Sequence, residues 1–392
     1  MTAPEVSGIH PDRITVLNSN PVFERDSVEA PRYVLYWMQR AGRSFDNHAL
    51  EYAVAWANAL SLPVVVVFGL TKGYPEANLR HYAFLIEGLA EVKTGLAERG
   101  IPFFVAWGHP PEVALRFMEG AAIGVTDGAY LRHLREWRAE VAREAPCRVD
   151  LVETDLVVPV RAASDHREYA ARTIRKKVMN RLEEYAHLPE SQTIDVPGIG
   201  VDEESAAPKK LLGDIPKRVE LVDSLNLPAL RSQLQVDTSV GPVTEWFRGG
   251  QKEAKRRFRR FLTERFAAYD ENRNHPAGSE SSGMSPYLHF GHVSPVWLVV
   301  AAEEVRSQAG SENVETFVEE LVVRRELAYN YCYFEPEYAS YKSLPDWARE
   351  TLADHKSDER PVVYDEKTLE AAETHDDYWN AAMTEMRLTG SM

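Results

Sequence analysis

The chain has 392 residues, of which 44% are hydrophobic and 27% charged, a balance that excludes a disordered tail, a collagen-like fibre and a coiled-coil rod. Its net charge of -15 argues against nucleic-acid binding over the whole surface. It leaves room for a local basic track, because charges are screened over about 8–10 Å. Two cysteines, Cys147 and Cys332, are too few for a disulfide framework, which points to a reducing cytoplasm. The start of the chain has no signal-peptide pattern, and the longest apolar run, Leu62–Leu70, is far below the roughly 20 residues needed to span a bilayer.

The first half alternates strand and helix signals. Tyr33–Met38 is a short apolar run, and Asp46–Leu60 reads as a helix capped by Asp46 or Asn47. Pro63–Phe68 is a valine-rich run of the kind buried on both faces of a sheet. Ala77–Arg99 has helical periodicity and stops at Gly100. Ile101–Trp107 (strand), Pro110–Glu119 (helix), Ile123–Thr126 (strand) and Tyr130–Ala145 (helix) follow. Val149–Glu153 and Leu156–Val160 are both strand-like. This alternation predicts a doubly wound, Rossmann-like parallel sheet.

The pattern then changes. Asp165–Tyr185 is basic and helical, and Ser191–Ala229 is rich in Pro, Gly and charge with little periodicity. From Val243 onward, strand signals nearly vanish, and Glu253–Tyr269, Pro295–Ser307, Val314–Tyr333 and Leu369–Leu388 read as helices. The expected organisation is an α/β domain over 1–190, a connector over 191–240 and an all-helical domain over 241–392.

Several familiar chemistries lack their signatures. No GxGxxG follows the first strand, and no P-loop, nucleophile elbow, HExxH or CxxC occurs, so no metal is expected. Arg40 and Arg43, just past the first strand, could hold an anion or simply pair with nearby carboxylates. His289 and His292 favour packing or backbone hydrogen bonds. Ser279, Ser281, Ser282, Gly283 and Ser285 precede Pro286, where a helix is expected to begin. Serine hydroxyls and free backbone N–H groups at such a place suit a diphosphate, or are an ordinary capping cluster. Lys252, Lys255, Arg256, Arg257, Arg259 and Arg260 interleave with Phe258 and Phe261. With the aromatics facing a core, the cations face water or phosphates. Arg172, Arg175, Lys176, Lys177 and Arg181 form a second cluster with the same two readings. Glu320, Arg324 and Ala328 fall on one helical face, either a salt bridge or one wall of a polar pocket.

Taken together, these segments resemble the photolyase–cryptochrome flavoproteins, and within them the class II cyclobutane pyrimidine dimer photolyases. The resemblance lies in Tyr36-Trp37-Met38-Gln39-Arg40 with Arg43 and Asp46-Asn47, Val66–Leu70, Glu76–Tyr82 and Glu168–Arg175. Its most specific parts are Ser285-Pro286-Tyr287-Leu288-His289-Phe290-Gly291, Glu320–Phe334, and Glu373–Asp376 with Trp379–Ala382. It implies a helical domain that holds FAD, with Tyr269, Ser281, Ser282, Gly283, Met284 and Ser285 as its contacts. It also implies a folate or deazaflavin antenna between the domains. Glu320 is implied to meet the dimer as a buried, protonated carboxyl, with Arg273 beside the damaged strand, Asn330 and Arg324 on the same helix near the flavin and lesion pocket, and Trp379 in an electron-transfer chain; Arg256 and Arg257 of the basic helix, with Arg324, are the expected DNA contacts. The implied activity is a carbon–carbon lyase reaction, the light-driven splitting of pyrimidine dimers in UV-damaged DNA. A monomer in the cytoplasm, with no membrane and no obligate protein partner, completes the expectation. The alternatives are a cryptochrome-like photoreceptor or a truncated, flavin-poor and inactive remnant. Class II members normally continue beyond the position of Met392 with further aromatic and Asn/Asp-rich stretches, so the chain reads as C-terminally incomplete.

Overall fold

The computed structural model describes residues 2–23, 31–199, 211–275 and 281–391. Five parallel strands form the centre of the sheet: β2 (Tyr33–Trp37), β3 (Val64–Leu70), β4 (Phe103–Trp107), β5 (Ala121–Asp127) and β6 (Arg148–Val152). Two short antiparallel strands, β1 (Ile14–Val16) and β7 (Glu220–Leu221), close the edges, giving the order β1-β6-β5-β2-β3-β4-β7. Both edge strands lie outside the sequence expectation. Three and two residues are too few to write a period-2 pattern.

The valine run of β3 is continuous because the sheet is covered twice. Val64 and Val66 join the core beneath α1 (His48–Leu60) and α2 (Leu79–Ala97). Val65 and Val67 join the opposite core beneath α3 (Pro110–Met118) and α4 (Arg132–Glu144). Asn47 caps α1 by accepting from Ala49 N and Leu50 N, which resolves the choice between Asp46 and Asn47. Asn78 and His81 form a reciprocal capping box on α2.

Leu156–Val160 is not a strand. The segment runs into the short helix Val160–Ala163, and side chains from distant positions satisfy its backbone. Arg13 donates to the carbonyls of Leu156 and Val157, and the Glu326 carboxyl accepts from Val157 N and Val158 N. Residues of the expected connector pack into both cores of the α/β half. Leu212 and Ile215 enter the α3/α4 core, while Leu230 enters the α1/α2 core.

The second core belongs to the helices. Phe258, Phe261, Phe266, Tyr269, Tyr287 and Phe317 are buried together there. Helix Gln251–Glu264 buries Ala254, Phe258 and Phe261 and turns its cations outward, as the interleaving predicts. Ile174 and Val178 of helix Ala171–Met179 are buried in this same core, although they precede the boundary expected at residue 190.

A buried polar clasp joins the two halves. Asp127, at the end of β5, accepts from Tyr36 Oη and from the backbone N–H groups of Gln39, Arg40 and Ala41. Arg40 then pairs with Asp155 at 2.9 Å and donates to Tyr329 Oη. Arg43 pairs with Asp155 and donates to Thr154 and to the carbonyl of Gly291. Pairing with a carboxylate is therefore the reading the structure supports for these arginines. His292 packs as expected. It stacks on Phe84 with ring centroids 5.0 Å apart, accepts from Gly250 N, and its pKa is pushed down to about 3 by burial. A Cβ at Gly88 would lie 2.1 Å from His292 Nε2. Gly88→Ala is therefore expected to cost about 1–3 kcal/mol of stability, read by urea unfolding.

Candidate functional site

Residues Ser311–Phe334 form one rod: an α-helix over Ser311–Val318, a π-helical turn over Glu319–Arg324, and an α-helix over Arg325–Phe334. A π turn widens the spacing of aligned side chains and recurs at functional positions. Here it separates the Glu320–Arg324 pair expected from α-helical spacing. Arg324 instead pairs with Glu319, five residues earlier, at 3.2 Å. Glu320 pairs with Arg273, whose Nη1 donates to Glu320 Oε1 at 3.0 Å. The side chain of Glu320 is 40% exposed, so the expected burial of this carboxyl is corrected to a rim position held by an arginine. Its Oε2 has no hydrogen-bond partner among the described residues.

Arg273 follows the short helix Tyr269–Asn272, which is pinned to the rod. Asp270 N donates to Asn313, and the Thr316 hydroxyl donates to Asp270. Arg273 Nε is buried without a partner. A groove of about 640 Å³ opens over this pair, lined also by Arg175, Met179, Glu319 and Arg324. Arg175 holds Glu319 through two hydrogen bonds, of 2.9 and 2.6 Å.

Tyr269 is buried edge-on to Phe261, and burial pushes its hydroxyl pKa up. Met284 is buried in the same core, at the end of the loop Ser281–Met284. Gly283 has φ +67°, a conformation that favours glycine. The Ser282 hydroxyl makes only a long contact, 3.4 Å from Met284 N. One turn on, Tyr287 has a buried hydroxyl with no partner. Ser281 and Ser285 are exposed. Ser279 lies outside the described residues.

Other expected site residues fall elsewhere. Asn330 is fully buried, and its amide is used by the backbone of Glu168 and His166. It ties the rod to the loop before helix Ala171–Met179. Arg256 and Arg257 both pair with Glu253, and Arg257 also lies over Phe247. Trp379 is 40% exposed and donates its indole N–H to the Leu369 carbonyl. Among the described residues, no group of His, Cys, Asp and Glu could hold a metal, and no helix is long and apolar enough to cross a membrane.

A separate cavity of about 340 Å³ lies at the carboxyl ends of β2 and β3, between the sheet and the helical half. Trp37, Leu70, Tyr74 and Trp137 line it from one side, and His289 and Phe290 from the other. Ligands of doubly wound sheets bind at this end of the strands. Burial pushes the His289 pKa down to about 4, so the ring faces the cavity's surroundings neutral at pH 7. The residue that sequence reasoning missed is Glu326. It lies inside the Glu320–Phe334 stretch, but its partners at Val157 and Val158 are distant in sequence.

Comparison with known proteins agrees with this architecture. The profile of the DNA photolyase family matches residues 34–195. A deoxyribodipyrimidine photo-lyase of Methanothermobacter thermautotrophicus is 40% identical over 384 residues, covering 98% of this chain and 79% of the relative. One from Arabidopsis thaliana is 37% identical, covering 98% and 75%. In fold, the chain is similar to a class III photolyase of Agrobacterium tumefaciens, with a TM-score of 0.64 at 18% identity, covering 94% of this chain and 71% of that one. A Synechocystis cryptochrome gives 0.64 at 17% identity, covering 92% and 72%. With an identity of 40% sustained along almost its whole length, the chain belongs to the DNA photolyase family.

Proposed function

We propose that this protein is a DNA-repair enzyme, a deoxyribodipyrimidine photo-lyase of class II type that splits cyclobutane pyrimidine dimers under light. The observation that carries the reading is the Arg273–Glu320 pair, with Glu320 on a π turn and Arg273 at the end of the helix that begins with Tyr269, open to a groove. The similarity to curated photo-lyases supports it. The cryptochrome likeness lies in the fold alone.

The residues present fit FAD. Exposed serine hydroxyls at 281 and 285, the weakly held Ser282 hydroxyl, a glycine in the left-handed region and the orphaned Tyr287 hydroxyl are donors of the kind a diphosphate takes up. Tyr269, Ser281, Ser282, Gly283, Met284 and Ser285 would hold it. When bound and reduced, FAD supplies the photoexcited electron that opens the dimer. The chain's own part is recognition and positioning. Arg273 occupies one oxygen of Glu320 and fixes its carboxyl plane. The free Oε2 can then accept an imide N–H of an extruded pyrimidine. The remaining N–H groups of Arg273 can donate to a carbonyl or a phosphate. The cavity between the domains is the place for an antenna of folate or deazaflavin type.

The test is light-dependent loss of dimers from irradiated DNA, with the released chromophore identified. FAD bound to the chain and dimers lost only under light support the reading, and no loss under light refutes it. Glu320→Ala is expected to lower the repair yield about tenfold, the low end of ~1.5–3 kcal/mol for a hydrogen bond to a charged group. Glu320→Gln should lower it less, and flavin per chain should stay unchanged in both. Parallel loss of flavin and repair would make Glu320 structural.

A further inference from the structure

We propose that helix Ala171–Met179, and not the arginine-rich helix Gln251–Glu264, carries the DNA backbone past the Glu320 groove, with Arg172 and Lys176 as its phosphate contacts. The inference deepens the DNA-repair reading and rests on it for the identity of the groove.

The helix buries Ala171, Ile174 and Val178. Arg172, Arg175, Lys176 and Met179 are then spaced i, i+3, i+4 and i+7 and share the opposite face. Two of these four, Arg175 and Met179, line the groove that holds Arg273 and Glu320. The other two, Arg172 and Lys176, are exposed and have no hydrogen-bond or ion-pair partner among the described residues. They are thus unneutralised cations on the same helix face as the groove wall. Lys177 is different, because Glu168 takes its charge. Two residues before the helix, Tyr169 is 81% exposed, with its ring beside the Arg167 guanidinium. Arg167 itself pairs with Glu335, so what Tyr169 adds is an exposed stacking surface just before the helix that carries Arg172 and Lys176.

On the competing helix most cations are already engaged, Lys255 by Asp46 among them, and of its six cations Lys252 alone is exposed with no ion pair or ring contact among the described residues. Arg256 and Arg257 share Glu253, and Arg260 pairs with Glu264. Arg257 also donates to the Trp246 carbonyl, and Arg259 lies over the Trp297 ring. On a chain of net charge -15, approach of DNA depends on cations free within a screening length of the site. A phosphate meeting Arg256 must first displace a carboxylate, whereas one meeting Arg172 displaces only water and counterions.

The test is equilibrium binding of the full chain to one duplex, with and without a single pyrimidine dimer, over a range of salt concentrations. Each lost phosphate contact lowers the slope of log K against log salt by about 0.9. Arg172→Ala with Lys176→Ala is expected to lower the slope by about 1.8, with equal fold loss on damaged and undamaged DNA. Arg172→Lys with Lys176→Arg is expected to keep the slope. Arg256→Ala with Arg260→Ala is expected to change it by under 0.5. An unchanged slope in the first variant, or a slope lost equally in the charge-preserving one, overturns the proposal. A larger fall in the Arg256/Arg260 variant also overturns it. If the unaltered chain shows neither dimer preference nor repair while the first variant still loses its slope, the repair reading fails and the phosphate track stands.

Discussion

Arg43→Ala is expected to destabilise the protein by about 3–5 kcal/mol, the range for breaking a buried ion pair from one side. Arg43 is fully buried and every nitrogen of its guanidinium is used. Nε donates to the Asp46 carbonyl, Nη1 to the Gly291 carbonyl, and Nη2 to both oxygens of Thr154. Its removal leaves three backbone carbonyls without a donor and Asp155 with Arg40 alone. Gly291 belongs to the helical half and Thr154 to the α/β half, so the same substitution loosens the joint between them. Arg40→Ala is the comparison. Arg40 is partly open to water and makes one side-chain hydrogen bond, to Tyr329, and one ion pair, to Asp155, so about 1–3 kcal/mol is expected. Urea unfolding followed by circular dichroism reads both. A loss below 1 kcal/mol for Arg43→Ala would mean that water replaces the guanidinium and that the clasp is not a stability element.

How much of this was legible in the sequence follows from the range over which each feature is written. The parallel sheet was, because burial on both faces is recorded in consecutive residues such as Val64–Val67. The basic helix Gln251–Glu264 was, because its aromatics repeat at helical spacing. The form of Leu156–Val160 is not legible locally, because an apolar run is compatible with any buried backbone. What decides its form is Arg13, 143 positions away from Leu156, and Glu326, 169 away from Val157. The Arg40/Arg43 pairing is hidden in the sequence for the same reason, since Asp155 reaches them only after the sheet has formed. Helical spacing marks Glu320 but gives it the wrong partner, and Arg273 is legible only through the resemblance. The α-helical period pointed Glu320 at Arg324, and the π turn redirects both side chains. Nothing in the residues Glu319–Arg324 announces a π turn, because the extra residue is accommodated by packing around the rod.

Glu326 gives the second large effect, and it is a pH effect. The carboxyl is buried beneath the backbone of Val157 and Val158, and desolvation raises its pKa to about 8. Arg325, the two N–H groups and Arg13 oppose that rise without cancelling it. In the unfolded chain a glutamate titrates near 4.3. Between these two values the folded protein holds a proton that the unfolded chain has released, so stability must fall as pH rises through that window. Above about 8 both states are ionised and the dependence ends. The span corresponds to roughly 5 kcal/mol. Glu326→Gln keeps the shape and removes the charge. The variant is expected to match the parent within about 1 kcal/mol at pH 5 and to exceed it increasingly from pH 6 to pH 8.5. Urea midpoints at these pH values decide the matter. Parallel curves for parent and variant would mean that the N–H groups of Val157 and Val158 hold Glu326 ionised throughout. Glu326 lies six residues beyond Glu320 on the same rod. The proton it binds therefore fixes how firmly the groove-bearing rod is tied to the α/β half, and repair yield is expected to fall with stability on the alkaline side in the parent but not in Glu326→Gln.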